Sequence, residues 1–275
     1  MAPKAIEGGT PLAGLMGSAL IELLSESMVA VYSSFDVKRF QKRAERDLEG
    51  LGIMQRGEVI AHALADELPK DFDAAAPILI AALGPELAKT EGNGLKVFFY
   101  LPHSQFISHY GVKSFEAGMT ACYELTKRFT AEFCIRSLLV HHEAKALKKL
   151  RKWASDKNAH VRRLVSEGTR PRLPWAIRLP SFQRNPNLTL ELLELLKDDP
   201  IRYVQRSVAN HLGDILKDNA ELAYEVCERW VEEAHSKRMD AELRKSRLWI
   251  VRHAVRLPAK KGQAKANAIR KLALG

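Results

Sequence analysis

The chain has 275 residues, of which 46% are hydrophobic, 28% charged and only 7% aromatic, a balance that excludes a disordered chain and leaves enough apolar residues for a continuous core. The net charge of +10 is unevenly placed: residues 1–140 hold 14 Lys and Arg against 17 Asp and Glu, whereas residues 141–275 hold 29 against 16. A basic half beside a nearly neutral one directs a polyanionic partner to the second half.

Residues 1–10 read as a flexible N-terminal tail. Lys4 and the apolar run Pro11 to Ile21 imitate a short signal peptide, but Glu22 interrupts the run. Leu23, Leu24, Met28 and Val31 continue it at helical spacing, so an amphipathic first helix is predicted from Pro11 to about Ser33. No run is expected to reach the roughly 20 apolar residues of a membrane span. Phe35 and Asp36 open a second helix ending near Leu51, and further helices are predicted near 54–68, 71–83 and 95–100. Two more are read from Phe115 to Val140 and from Ala144 to Trp153. Sustained strand-type alternation is missing, so the expected fold class is all-α. Cys122, Cys134 and Cys227 form no C-x-x-C pair and are odd in number, which points to a reducing compartment and a cytoplasmic protein.

A repeat appears in the second half. Asp156-Lys-Asn-Ala-His-Val161-Arg-Arg163-Leu-Val165 aligns with Asp199-Pro-Ile-Arg-Tyr-Val204-Gln-Arg206-Ser-Val208 at an offset of 43 residues. A fainter copy, Val251-Arg-His-Ala-Val255, follows 47 residues after the second. The unit is a helix, a turn with Asp, and a second helix opening on Val-x-Arg. It resembles the HEAT repeat, whose helix pairs cannot bury their apolar faces alone and therefore stack into a solenoid with a concave face. One α-solenoid is expected over 11–257, followed by a basic C-terminal segment over 258–275 and no immunoglobulin-like domain.

Helical spacing then arranges the polar residues. Arg206, Asn210 and Asp214 fall at i, i+4 and i+8 on one ridge, and the repeat offset puts Arg163 and Glu167 on the equivalent ridge of the preceding unit. Glu132 and Arg136 read as another i, i+4 pair. After Glu167, Gly168, Pro171 and Pro174 end the helix, and the loop carries Arg170, Arg172 and Trp175. Guanidiniums pair with phosphates in bidentate fashion, and an indole packs on a sugar or base face or plugs a gap between helices.

The segment RRLVSEGTRPRLPW at 162–175 and LLELLKDDPIRYVQRSVANHLGDILKDN at 192–219 closely resemble the AlkC branch of the alkylpurine DNA glycosylases, as do TAEFCIR at 130–136 and RLWIVRHAVR at 247–256. The resemblance covers roughly 35–257. It implies a HEAT-like protein that binds double-stranded DNA containing alkylated bases. It also implies hydrolysis of the N-glycosidic bond of cationic lesions, 3-methyladenine and 3-methylcytosine in this branch and 7-methylguanine in the sister branch, as a monofunctional glycosylase that leaves the base unflipped. The family's catalytic carboxylates fall on Glu132, Glu167 and Asp214 and its tryptophan on Trp175. Arg163, Arg170, Arg172 and Arg206 are the expected phosphate contacts. Carboxylates near the sugar would stabilise an oxocarbenium-like state, and a cationic base leaves without a strong general acid. Gly213 stands where the family's polar Asn is expected, and the sister branch's Trp-x-x-x-Asp arrangement is missing near Glu132.

No cofactor and no metal are expected, and the protein is expected to act as a monomer without a membrane or nucleotide cofactor. Adjacent His141 and His142 point to different helix faces, and His109 and His253 lack an H-x-x-x-H partner, so all four read as solvated or core histidines. The rival reading is a HEAT-like protein that recognises branched or damaged DNA without catalysis.

Overall fold

Four helices of this chain begin the same way, with a short polar side chain that takes up an orphan backbone N–H just before the helical run. The Asp36 carboxylate accepts from the Arg39 N–H, Asp71 from Asp73, Asn158 from His160, and Asp240 from Glu242 and Leu243. In the computed structural model, which describes residues 12–236 and 238–274, these starts give an all-α protein with no strand among the described residues. The expected tail at 1–10 lies outside the described residues. The chain divides into two compact units, one up to Ala146 and one from Leu147.

The first unit contains α1 (Ser18–Val29), α2 (Val37–Glu45), α3 (Ile53–Glu67), α4 (Phe72–Ala81), α5 (Leu101–Tyr110) and α6 (Phe115–Thr126). Helix α3 packs between α2 and α5, and α6 packs on α4 and α5. Contrary to the sequence expectation, Leu12–Val29 is long and apolar enough by composition to cross a membrane. In the fold its Leu20, Ile21, Leu24 and Met28 are buried in the core of this unit. The predicted helix at 95–100 is a 3-10 turn, Leu95–Tyr100, that runs directly into α5. Helix α5 was not among the expected helices; Pro102 sits in its first turn, where the missing N–H costs nothing.

The single helix expected from Phe115 to Val140 is two. Helix α6 ends at Thr126, and α7 (Ile135–Trp153) begins only after a turn. Glu132 lies in that turn, ahead of the first residue of α7, and not within a helix. The Thr130 hydroxyl donates to Glu132 Oε2 at 2.8 Å and accepts from the Glu132 N–H at 3.2 Å, a local bonding pattern that competes with helix. The break read between Val140 and Ala144 is a kink within α7, where His142 has φ −137° and ψ 39° and its Nε2–H donates to the Val112 carbonyl.

The second unit holds α8 (Ala159–Glu167), α9 (Pro180–Arg184), α10 (Asn187–Leu196), α11 (Arg202–Asp218), α12 (Ala220–Ala234), α13 (Ala241–Ala254), α14 (Arg256–Lys260) and α15 (Ala264–Leu272). Here the 43-residue repeat takes physical form. Helices α8 and α11 begin at equivalent positions, and their turn aspartates do the same job: Asp156 accepts from the Asn158 N–H and Asp199 from the Ile201 N–H. Val161, Leu164 and Val165 of α8 and Val204, Val208, Leu212 and Ile215 of α11 are buried. Helix α8 packs on α11, α11 on α13, and α10 and α12 are the first helices of the pairs that α11 and α13 complete. The fainter third copy falls in the last turns of α13 rather than its first, so it matches by apolar face and not by position in the helix. Within the basic C-terminal segment, α15 packs on α12 and α13 through buried Ala266 and Ile269.

Candidate active site

Helix α8 ends at Glu167 with Gly168 at its C-cap, so the chain turns and the loop that follows lies against α11. Two arginines of this loop meet two aspartates one helical turn apart on α11. Arg170 donates from Nε to Asp214 Oδ2 at 2.8 Å, and Arg172 makes a bidentate pair with Asp218 at 2.8 and 2.5 Å.

Arg170 also donates from Nη1 to Glu167 Oε1 at 2.7 Å, so one guanidinium joins Glu167 and Asp214. The remaining oxygens have their own donors: the Ser207 hydroxyl to Glu167 Oε2 at 2.6 Å, and Lys217 Nζ to Asp214 Oδ1 at 2.8 Å. Arg163 approaches Glu167 Oε1 at 3.5 Å and lies over the Tyr203 ring, 4.9 Å from its centroid. Two carboxylates are thus set among three cations.

Both acids are buried, Glu167 at 5% exposure and Asp214 at 1%, whereas Arg206, on the ridge expected to include Asp214, is exposed. The polar face of α11 is instead Ser207, His211, Asp214 and Asp218, at i, i+4, i+7 and i+11. A ridge continuing from Arg206 would have left Asp214 outside. Arg206 itself is exposed, and Asn210 accepts a hydrogen bond from Arg256 at 3.0 Å. The sequence reading missed Ser207, His211 and Lys217; their i, i+4 and i, i+3 spacing to one another and to Asp214 was the available signal.

Burial pushes the Glu167 carboxyl up, but Arg163, Arg170 and the Ser207 hydroxyl together outweigh it and hold the group below the ordinary carboxylate value. It is therefore ionised at neutral pH in a site where an unassisted carboxyl would take up a proton. His211 behaves oppositely: burial pushes it down to about 4, so it stays neutral, with its Nδ1–H on the Ser166 carbonyl at 2.9 Å.

These shifts set an acid dependence of stability. His211 has a folded value of about 4 against an ordinary 6.5, so the unfolded chain binds more protons between these values and stability falls as pH drops through that window. The full loss is about 3 kcal/mol for His211 alone. Glu167 adds a second loss below the ordinary carboxylate range, because its folded value is depressed. Thermal melts between pH 7 and pH 4 should show a falling midpoint, and His211→Gln should flatten the upper part of that fall. An unchanged slope in the variant would remove His211 from the account.

Arg170 and Arg172, expected on phosphate, face carboxylates and would have to leave them to meet a polyanion. Trp175 is 61% exposed, so it is not a plug between helices, and its backbone has φ +63°, a left-handed conformation that is costly for a bulky residue. Glu132 lies in the first unit. Beside Asp214 opens a cavity of about 450 Å³ whose walls include Arg170, Asn210, Lys217, Tyr224, Arg256 and Lys261. Gly213 also lines it, and a Cβ there would stand 3.4 Å from the Ala254 carbonyl, an ordinary contact, so a side chain at this position is sterically admissible.

No model of a protein family matches the chain. Among solved structures it is similar to Pseudomonas fluorescens alkylpurine DNA glycosylase AlkC bound to DNA containing an abasic site analog, with a TM-score of 0.81 and 34% identity, covering 95% of this chain and 68% of that one. The chain belongs to the AlkC alkylpurine DNA glycosylase family. The HEAT-like helical fold expected from the repeat is that of this family. The chain is also 32% identical over 252 residues to the uncharacterized protein YhaZ of Bacillus subtilis (strain 168), covering 91% of this chain and 65% of that protein. It therefore spans about two thirds of the length of either protein.

Proposed function

We propose that this AlkC-family protein is a monofunctional DNA glycosylase that hydrolyses the N-glycosidic bond of cationic alkylated bases, 3-methyladenine and 3-methylcytosine foremost and 7-methylguanine as a further candidate. The observation that carries the reading is the pair of buried carboxylates, Glu167 and Asp214, joined through Arg170. A carboxylate kept ionised in a buried site offers fixed negative charge to a cation that forms only in the transition state.

In the proposed reaction the C1′–N bond breaks and its electron pair goes to the positively charged base, which leaves neutral. The sugar becomes oxocarbenium-like, facing Glu167 and Asp214. Water adds at C1′, its proton passes to one of the carboxylates, and an abasic site remains. Trp175 would lay its exposed indole against the sugar and add cation–π stabilisation without the base leaving the stack. Glu132 is proposed as a further carboxylate required for release. Arg163 and Arg206 are proposed on phosphates. Arg170 and Arg172, as the sequence suggests, would join them, and Arg163, Arg170 and Arg172 would each have to exchange the partners described above. The proposal includes a single solenoid over 11–257 and a cytoplasmic monomer acting on double-stranded DNA.

The test is to incubate the protein with methylated DNA and assay free bases by chromatography. Release of 3-methyladenine or 3-methylcytosine above the spontaneous rate is expected. The rival, a non-catalytic binder of damaged DNA, draws on one feature: each oxygen of Glu167 and Asp214 already has a donor, as a purely architectural cluster would. Salt-sensitive DNA binding with no base released would establish that reading and reject the first.

A further inference from the structure

Helices α3 and α5 of the first unit bring together three side chains that the glycosylase reading does not use. Glu58 and His62 stand one turn apart on α3, and His109 comes from α5, which packs alongside. His109 Nε2 is 3.1 Å from Glu58 Oε1, His62 Nε2 is 3.9 Å from the same oxygen, and one ligand atom from each residue lies within 4.8 Å of the others. The two imidazole rings are 5.0 Å apart, centre to centre. We propose that Glu58, His62 and His109 form a binding site for a divalent transition-metal ion of the zinc type, cross-linking α3 to α5.

Two imidazoles and one carboxylate form a donor set suited to zinc, with water completing a tetrahedron. Bonds of zinc length place ligand atoms about 3.3 Å apart in such a tetrahedron. The His109–Glu58 pair already has that spacing, and His62 must close by about 0.6 Å toward Glu58 and the widest ligand-atom separation by up to about 1.5 Å, within the rotamer freedom of exposed rings. Ligation through Nε2 requires the proton on Nδ1, and there the Tyr110 phenol oxygen, 2.7 Å from His62 Nδ1, accepts it. Such an outer hydrogen bond fixes the tautomer and orientation of a ligating histidine. All three side chains are more than a third exposed, so an ion reaches them from solvent. A sequence search for H-x-x-x-H misses the set because the third ligand is 47 residues after His62 and an acid stands where the first histidine would be.

The proposal is independent of the glycosylase reading, and its test needs no DNA. The full chain is titrated with zinc against a chromogenic chelator and melted with and without the ion. One equivalent is expected to bind and to raise the melting temperature, and cobalt is expected to give a ligand-field absorption band at the same stoichiometry. His62→Gln with His109→Gln should weaken binding at least tenfold and abolish the thermal shift, while the melting temperature without metal stays near that of the parent. Glu58→Gln should weaken binding with both rings in place, and acidification should release the ion, since a ligating imidazole must be neutral. Equal binding by parent and double variant, or no binding by the parent in excess zinc, would overturn the proposal and leave the cluster as a polar contact between Glu58 and His109.

Discussion

Glu167→Gln is expected to lower base release from methylated DNA by about 10²–10³-fold, the usual cost of removing one preorganised electrostatic group from a transition state. The amide preserves shape and can still accept from Ser207, but it removes the negative charge that burial and the arginines together define. Affinity for the same DNA should stay close to that of the parent, since a carboxylate contributes nothing favourable next to phosphate. Single-turnover release and a binding isotherm at matched salt separate the two quantities. Release and binding that fall together by the same factor would make Glu167 structural, and unchanged release would exclude it from the chemistry.

Replacing Arg170 should have the largest effect on the fold. Arg170→Met leaves Glu167 and Asp214 buried without the guanidinium that joins them, and breaking a buried ion pair from one side costs about 3–5 kcal/mol. In a unit of this size the melting temperature should drop by about 10 °C. The same variant should shift the pH dependence of base release. With Arg170 gone, burial of Glu167 meets less opposition, its carboxyl moves up, and the acid limb of the rate profile moves to higher pH. Activity at neutral pH should therefore fall further than activity in mildly alkaline buffer. Arg172→Met is the control: its pair with Asp218 is more exposed, so both the melt and the profile should change much less. Identical behaviour of the two variants would refute a special role for Arg170.

Arg170 also shows where local patterning stops being informative. Its spacing from Glu167 was visible in the sequence, as was its place in a loop rich in arginine, and free arginines in a loop suggest phosphate. What turned it inward is a partner 44 residues away on α11. A similar point applies to Asp214, which helix periodicity groups with exposed Arg206 and the fold buries at 1% exposure. Periodicity assigns a face but not a neighbour, and here the neighbouring loop covers the face. Glu132 erred differently: the apolar pattern from Phe115 runs on without a breaker, yet Thr130 holds the chain in a turn. A single hydroxyl is a weak signal in one dimension and a sufficient one once its partners are fixed.

By itself the sequence determined that this protein is all helical, that its second half is built on a 43-residue unit, and that its basic charge is concentrated there. Each follows from short-range physics: apolar spacing selects helix, repeated spacing selects stacked pairs, and charge adds along the chain. The motifs at 162–175 and 192–219 were also sufficient to suggest the family. Only the tertiary structure decided which side chains meet: the guanidinium between Glu167 and Asp214, the buried neutral His211 beside them, the exposed Trp175 on a strained backbone, and Glu58, His62 and His109 drawn together from two helices. Such meetings depend on how helices pack, a choice made by many weak apolar contacts at once and not encoded at any one position.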